Sequence, residues 1–225
     1  MRSGDSVAPS GMSGEASSTK LHDWFRVLQR RAADAMSPCD ARPVRPLRRD
    51  CSMSLIRHPI WQYAWFVPDI DEACHKWNKM TGAGPFHVVR HHIAEDFRYR
   101  GQAIEADVSY AFGQAGPAHV QFIAQHDDTP SIYRDMYRKG EYGFHHIGLL
   151  ISDLDAEIKR FEAAGYENAC TLWGGDYVAY MDCRKDMGCF VELHGDAPII
   201  RTLFEKWRQD HLNWDGKTDL IREAR

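Results

Sequence analysis

An α+β chain made of two βαβββ modules is the architecture that this sequence predicts, on three observations. Residues 143–155 read as an apolar strand (Phe144, Ile147, Leu149, Leu150, Ile151) running into a helix start, with Ser152 and Asp153 as N-cap types and Asp155 in the first turn. Residues 60–71 repeat that grammar: an apolar strand, then Pro68 and Asp69-Ile70-Asp71 where the later copy has Asp153-Leu154-Asp155. Gln62 falls on His146 at an offset of 84 residues, too long for a solenoid repeat. Third, residues 103–113 alternate as a half-buried strand, with Ile104, Ala106, Val108, Tyr110 and Phe112 on one face and Glu105, Asp107, Ser109 and Ala111 on the other.

The elements follow in order. Residues 1–52 are rich in Ser, Gly, Ala, Pro and Arg; only 21–35 has helical periodicity, and no apolar signal core is present. This stretch reads as a disordered extension, with Met53 as an alternative start. The first module spans 53–128. Its expected parts are strand 61–67, helix 70–81 broken at Gly82 to Pro85, strand 86–93, a polar connection at 95–101, strand 103–113 and strand 119–125. In the last strand Val120, Phe122 and Ala124 take one face, and His119, Gln121 and Ile123 the other. A linker at 129–142 carries a helix over 129–139. The second module, 143–196, repeats the pattern with a helix from Leu154 to a stop at Gly165 and strands at 167–173, 177–182 and 189–194, with turns at 174–176 and 184–188. A tail, 197–225, opens with an amphipathic helix over 197–213 whose apolar side is Ile200, Leu203, Phe204 and Trp207.

Composition bounds the function. The 225 residues are long enough for one or two domains with a real core; 44% hydrophobic and 27% charged residues are globular values. A net charge of −4 offers no footing for nucleic acid. No apolar run reaches the roughly 18–20 residues of a membrane helix. Six cysteines without a CxxC pair or a secretory signal are expected to be reduced thiols in a cytoplasmic protein. His146, mid-strand and two residues before Gly148, is by itself either a packed core imidazole or a ligand.

Several motifs in this order resemble one family. They are Trp61-Gln62-Tyr63 with residues 67–71, residues 119–123, His145-His146 through Gly148 with 153–155, and residues 188–193. Over about 58–196 the chain is similar to the vicinal oxygen chelate superfamily, which includes glyoxalase I, methylmalonyl-CoA epimerase, extradiol dioxygenases and bleomycin-resistance proteins. The resemblance implies paired modules that curl into a cup around one divalent ion (Mg, Mn, Co, Ni, Zn or Fe), and a homodimer is expected. Carried over position by position, the metal ligands fall on Gln62, Gln121, His146 and Glu192. Two glutamines together depart from the family pattern. One imidazole, one carboxylate and two amides suit a six-coordinate ion with open water positions, unlike a closed thiolate zinc site; a vacant polar pocket is the alternative. By strand alternation His145 points away from His146 and is structural, and His91 and His92 are surface or pocket-rim residues.

The implied chemistry is stabilisation of an enolate or enediolate on a small-molecule substrate, with a carboxylate moving the proton. The resemblance makes Glu192 both ligand and base. It puts Glu105 near the epimerase's second carboxylate; Glu105 and Asp107 are otherwise solvated strand residues. Trp65, Phe86, Phe97, Tyr99, Trp173 and Tyr177 are candidates for an apolar pocket or simply core. No basic cluster near the strands resembles a clamp for coenzyme A phosphates, which favours a small apolar or aromatic-derived substrate. Three functions are expected in order: a metal-dependent isomerase, epimerase or lyase; a metal-free binding protein of bleomycin-resistance type; and an extradiol dioxygenase, whose two-histidine-one-carboxylate site would need a histidine where Gln62 or Gln121 stands. Metal analysis separates the first two, and oxygen uptake with catechols would reveal the third.

Overall fold

The computed structural model describes residues 54–172 and 177–223. The expected extension at 1–52, Trp173 and the turn at 174–176 lie outside the described residues. The chain forms strands β1 (Ile60–Phe66), β2 (Phe86–His92), β3 (Arg98–Tyr99), β4 (Gln102–Ala103), β5 (Val108–Ala115), β6 (Ala118–Gln125), β7 (Gly143–Ile151), β8 (Asn168–Leu172), β9 (Val178–Met181), β10 (Phe190–Gly195) and β11 (Ile221–Glu223). The helices are α1 (Ile70–Thr81), α2 (Ile132–Met136), α3 (Leu154–Ala163), α4 (Arg184–Met187) and α5 (Pro198–Leu212).

All eleven strands make one mixed sheet, ordered β11-β2-β5-β6-β1-β7-β10-β9-β8-β3-β4. Each module contributes four consecutive strands: the first β2-β5-β6-β1, the second β7-β10-β9-β8. They meet where β1 pairs antiparallel with β7. Within each module the first strand runs parallel to the last, β1 with β6 and β7 with β10, and the helix makes the crossover. Asp69 caps α1 through the Glu72 amide and Asp153 caps α3 through the Ala156 amide, as the repeated Asp positions predict. The repeat is therefore structural as well as sequential.

Two core layers result. Outside the sheet, α1 packs through Ile70, Ala73 and Cys74 on Phe86, Val88, Ala111, Val120 and Phe122, and α3 packs through Phe161 on Ile147, Leu149, Val191 and Leu193. The inner layer holds Ala64, Phe66, Tyr110, Ile123, Tyr180 and Phe190. Trp65 and Phe86 belong to the outer layer, Trp65 against Trp77, Phe122 and Phe144. Phe97 is inner core and Tyr177 is exposed. Those expected pocket aromatics are thus core or surface.

Three expectations need correction. The single strand expected at 103–113 begins at Val108; before it the chain makes the β3–β4 hairpin, which leaves its own module and pairs with β8. Arg100 fastens this hairpin with ion pairs to Asp135 (2.6 Å), Asp182 (3.1 Å) and Glu167. The linker helix shrinks to Ile132–Met136, because Pro130 precedes its Ser131 cap and Tyr137 turns extended to donate its hydroxyl to Phe144 O. The turn at 184–188 holds the short helix α4. β11 covers the free edge of β2 as β3 covers that of β8, so the core sheet offers neither edge for pairing. The apolar side of α5 lies across the concave face, with Ile200, Leu203, Phe204 and Trp207 buried against Val89.

Candidate functional site

Two rows of side chains cross the seam on the concave face. One row runs Gln121, Ala64, His146, Phe190 over β6, β1, β7 and β10; the next runs His119, Gln62, Gly148, Glu192. Register partners share a face, so the four residues expected as ligands share the concave face, two from each row. All four are buried. Gly148 makes the second row possible. A Cβ there would lie 3.0 Å from Gln62 Oε1 and 2.9 Å from Glu192 Oε2, so only glycine lets these two oxygens converge. Ala64, 84 residues earlier, is its small counterpart.

Gln62, Gln121 and Glu192 line a cavity of about 60 Å³, together with His92, His194, Tyr110, Phe112, Tyr180 and the α5 residues Ile200, Leu203, Phe204 and Trp207. Glu192 Oε1 accepts from Tyr180 Oη at 2.8 Å. Glu192 Oε2 lies 3.4 Å from His146 Nε2, without the geometry of a hydrogen bond. Burial opposes its charge, but His146 and Tyr180 outweigh that and hold its carboxyl at about 2. It is an anion at any neutral pH.

The strand-alternation reading of His145 is wrong, and the reason is a β-bulge. Ala64 pairs with His146 but Trp65 pairs with Phe144, leaving His145 as the extra residue. Both imidazoles therefore enter the inner layer: His145 packs on Tyr133 and Phe190, and its Nδ1 lies 2.9 Å from His146 Nδ1. His145 Nε2 lies 3.3 Å from Ile132 O. A carbonyl only accepts, so Nε2 of His145 carries a proton. Burial pushes His145 well below the ordinary histidine range, so it is neutral and its Nδ1 is bare. His146 must then donate from Nδ1, and in its neutral form it turns a bare Nε2 towards the Glu192 carboxylate. Two buried lone pairs facing each other are unfavourable unless a cation lies with them, either a proton on His146 or a metal ion. Gln121 Oε1 is another buried acceptor without a hydrogen-bond partner. These donors fit a divalent ion.

Glu105 does not join them. It is exposed, ahead of β5, and only its carbonyl makes a contact, to Thr129 Oγ1. His92, expected at the surface or rim, is buried and lines the cavity, and its Nε2 has no hydrogen-bond partner. Burial lowers its pKa, so its ring is neutral at pH 7. His119 is buried against Phe112 and Trp207, stacked 5.2 Å from the latter, and burial lowers its pKa to about 3. Sequence reasoning missed His92, His119 and the aromatic wall of α5. The alternation that put His119 beside Gln121 was the available signal; nothing in the sequence marked the bulge that turns His92 inward.

Residues 61–180 match the sequence family described as the Glyoxalase/Bleomycin resistance protein/Dioxygenase superfamily. No curated protein matches the chain. Among solved structures, the methylmalonyl-CoA epimerase from Mycobacterium tuberculosis is 21% identical, with a TM-score of 0.46 over 66% of this chain and 93% of that one. A hypothetical protein from Bacillus halodurans C-125 is 16% identical, with a TM-score of 0.45 over 63% and 96%. A Streptomyces coelicolor methylmalonyl-CoA epimerase in complex with 2-nitronate-propionyl-CoA is 16% identical, with a TM-score of 0.41 over 61% and 96%.

Proposed function

The chain belongs to the glyoxalase/bleomycin resistance protein/dioxygenase superfamily, and from that premise we propose that it is a metal-dependent isomerase, epimerase or lyase working through an enolate or enediolate. The observation that carries this reading is the buried pair of His146 Nε2 and Glu192 Oε2 at 3.4 Å, with Gln62 and Gln121 on the same face. These four residues would hold a divalent ion, which would supply electrophilic stabilisation to an oxyanion formed on loss of an α-proton.

The chain's own residues do the rest. The Tyr180 hydroxyl orients the Glu192 carboxylate. A carboxyl held at about 2 is a ligand first and a weak base. With Glu105 at the surface, the second proton carrier in this reading is His92. It is neutral, its Nε2 has no hydrogen-bond partner, and its strand lies across the β1–β7 seam from that of Glu192.

The substrate is small and uncharged or apolar. Among the described residues no Lys or Arg lines the cavity, and Phe112, Leu203, Phe204 and Trp207 do. The free volume of about 60 Å³ is below the ~150 Å³ that admits benzene in an engineered cavity. A molecule of more than a few heavy atoms therefore needs α5 to shift. Localisation in the cytoplasm and a homodimer remain part of this reading; no described helix is long and apolar enough to cross a membrane.

The test is exchange of α-hydrogen for deuterium in D₂O, followed by NMR across small carbonyl compounds, with and without added divalent ions. Ion-dependent exchange that is lost in Glu192→Ala supports the enzyme. Ligand retention without metal binding or exchange would instead point to a sequestering protein.

A further inference from the structure

A second cluster of metal-binding side chains lies at the rim of the first module, away from the cavity. His91 sits near the end of β2, Asp107 immediately precedes β5 and His126 immediately follows β6. β5 lies between β2 and β6, so the three strand ends are neighbours. The His126 amide donates to Asp107 O at 2.8 Å, and the rings of His91 and His126 lie 4.2 Å apart. One ligand-type atom from each of the three lies within 4.8 Å of the other two. Both histidines are exposed and Asp107 is half-buried; none of the three lines the cavity.

The backbone is shaped to bring them together. β2 carries an irregularity between Val89 and His92, and within it His91 adopts φ +48°. A left-handed backbone is disfavoured for a non-glycine residue, and bulges commonly re-aim a side chain. Ser109, buried between the two histidines, holds the arrangement. Its Oγ accepts from the His91 amide at 3.0 Å and lies 2.6 Å from His126 Nε2. His91 Nδ1 lies 2.9 Å from Asp107 Oδ2. A simple surface ion pair would account for His91 and Asp107. It does not account for His126 set ring to ring against His91 with its Nε2 held on Ser109 Oγ.

We propose that His91, Asp107 and His126 form a second divalent-cation site, for a transition ion of zinc type. Two imidazoles and one carboxylate suit zinc, cobalt, nickel or copper, whereas calcium and magnesium take oxygen ligands. The exposed side leaves a fourth position to water. An ion here would lie against the Asp107 carboxylate and a bare nitrogen of each imidazole, the single proton of each neutral ring staying on its other nitrogen. His92 follows His91 directly, so an ion here fixes the bulge that turns His92 into the cavity.

Zinc titration of the full chain by calorimetry tests this, using wild type, Glu192→Gln, His126→Ala and the double variant. Glu192→Gln disables the cup, and His126 is exposed, so its removal leaves the fold intact. Glu192→Gln should keep one zinc, and adding His126→Ala should weaken that binding on the order of 100-fold or abolish it. Zinc should likewise raise the melting temperature of Glu192→Gln but not of the double variant. Should Glu192→Gln fail to fold, wild type must bind one zinc more than His126→Ala. Equal zinc binding with and without His126, or no zinc in a folded Glu192→Gln, overturns the proposal. A wild type that binds no more zinc than Glu192→Gln would instead count against the cup, so the two failures are distinct.

Discussion

The first module sets two neutral amides, Gln62 and Gln121, on the concave face where the second sets an imidazole and a carboxylate, His146 and Glu192. The scaffolds around them correspond closely. Each seam strand carries one extra residue just before its inward polar side chain: Trp61 before Gln62 and His145 before His146. Trp61 meets Phe204 of α5 edge-on, whereas His145 bonds to its neighbour's imidazole. The same bulge thus packs the lid in one module and fixes a tautomer in the other. Position in the repeat sets where a side chain points, and residue type alone sets what it does there.

The sharpest way to break this comparison is to remove the charged member. Glu192→Ala should abolish divalent binding by the cup and all α-proton exchange, with the circular dichroism spectrum unchanged. Full exchange activity in that variant would mean that the ionisable module is not the chemical one.

His92→Gln comes next. It should leave ion binding by the cup unchanged and slow exchange by roughly 10²–10⁴-fold. Steady-state rates and metal content, measured on the same sample, separate that outcome from a loss of the ion.

Making the modules alike should strengthen binding. Gln62→His adds a second imidazole beside Gly148 and Glu192, so calorimetry should show tighter nickel and cobalt binding at pH 8. The gain should shrink at pH 6, because a protonated ring cannot coordinate. A lower melting temperature without a binding gain would mean that the residue is only core. The two bulges give a matched pair: His145→Phe should weaken binding by the cup about 10–100-fold, while Trp61→Phe should not change it.

A smaller effect is the response to acid. Burial lowers the folded pKa of His119 from 6.5 to about 3, so the unfolded chain binds more protons between those values and stability falls as pH drops through 6.5. Glu192 is also depressed, from 4.5 to about 2; its contribution is complete above 4.5 and is lost below that. Urea melts from pH 7 to 3 should show both phases, and His119→Gln should shrink the upper one without removing it, because burial also holds His92 and His145 below the ordinary histidine range.

Much of the fold was legible because periodicity and capping are local. The paired Asp caps and the 84-residue offset aligned Gln62 with His146, and alternation in β6 set Gln121 opposite its apolar face; only the family resemblance gathered these three with Glu192 into one set. What was not legible depends on partners distant in sequence. The bulge at His145 exists only against β1, and alternation read along β7 alone puts that ring on the wrong face. The inward turn of His92 follows from an irregularity against β5. Glu105 looked like the start of a long strand, but β3 and β4 pull the chain across to β8, and Glu105 is left in solvent. The apolar stripe of α5 was plain in the sequence; that it closes the cavity was not, since amphipathicity says which side is buried and not against what.

The proposed function requires the cup to bind one divalent ion between the modules. Anomalous diffraction from crystals loaded with nickel or zinc tests it most directly, because position alone separates the cup from the rim cluster. A peak should appear within bonding distance of His146 Nε2 and Glu192 Oε2, with Gln62 and Gln121 turned towards it. Crystals loaded at millimolar metal with no peak there, whatever appears beside His91 and His126, would contradict it.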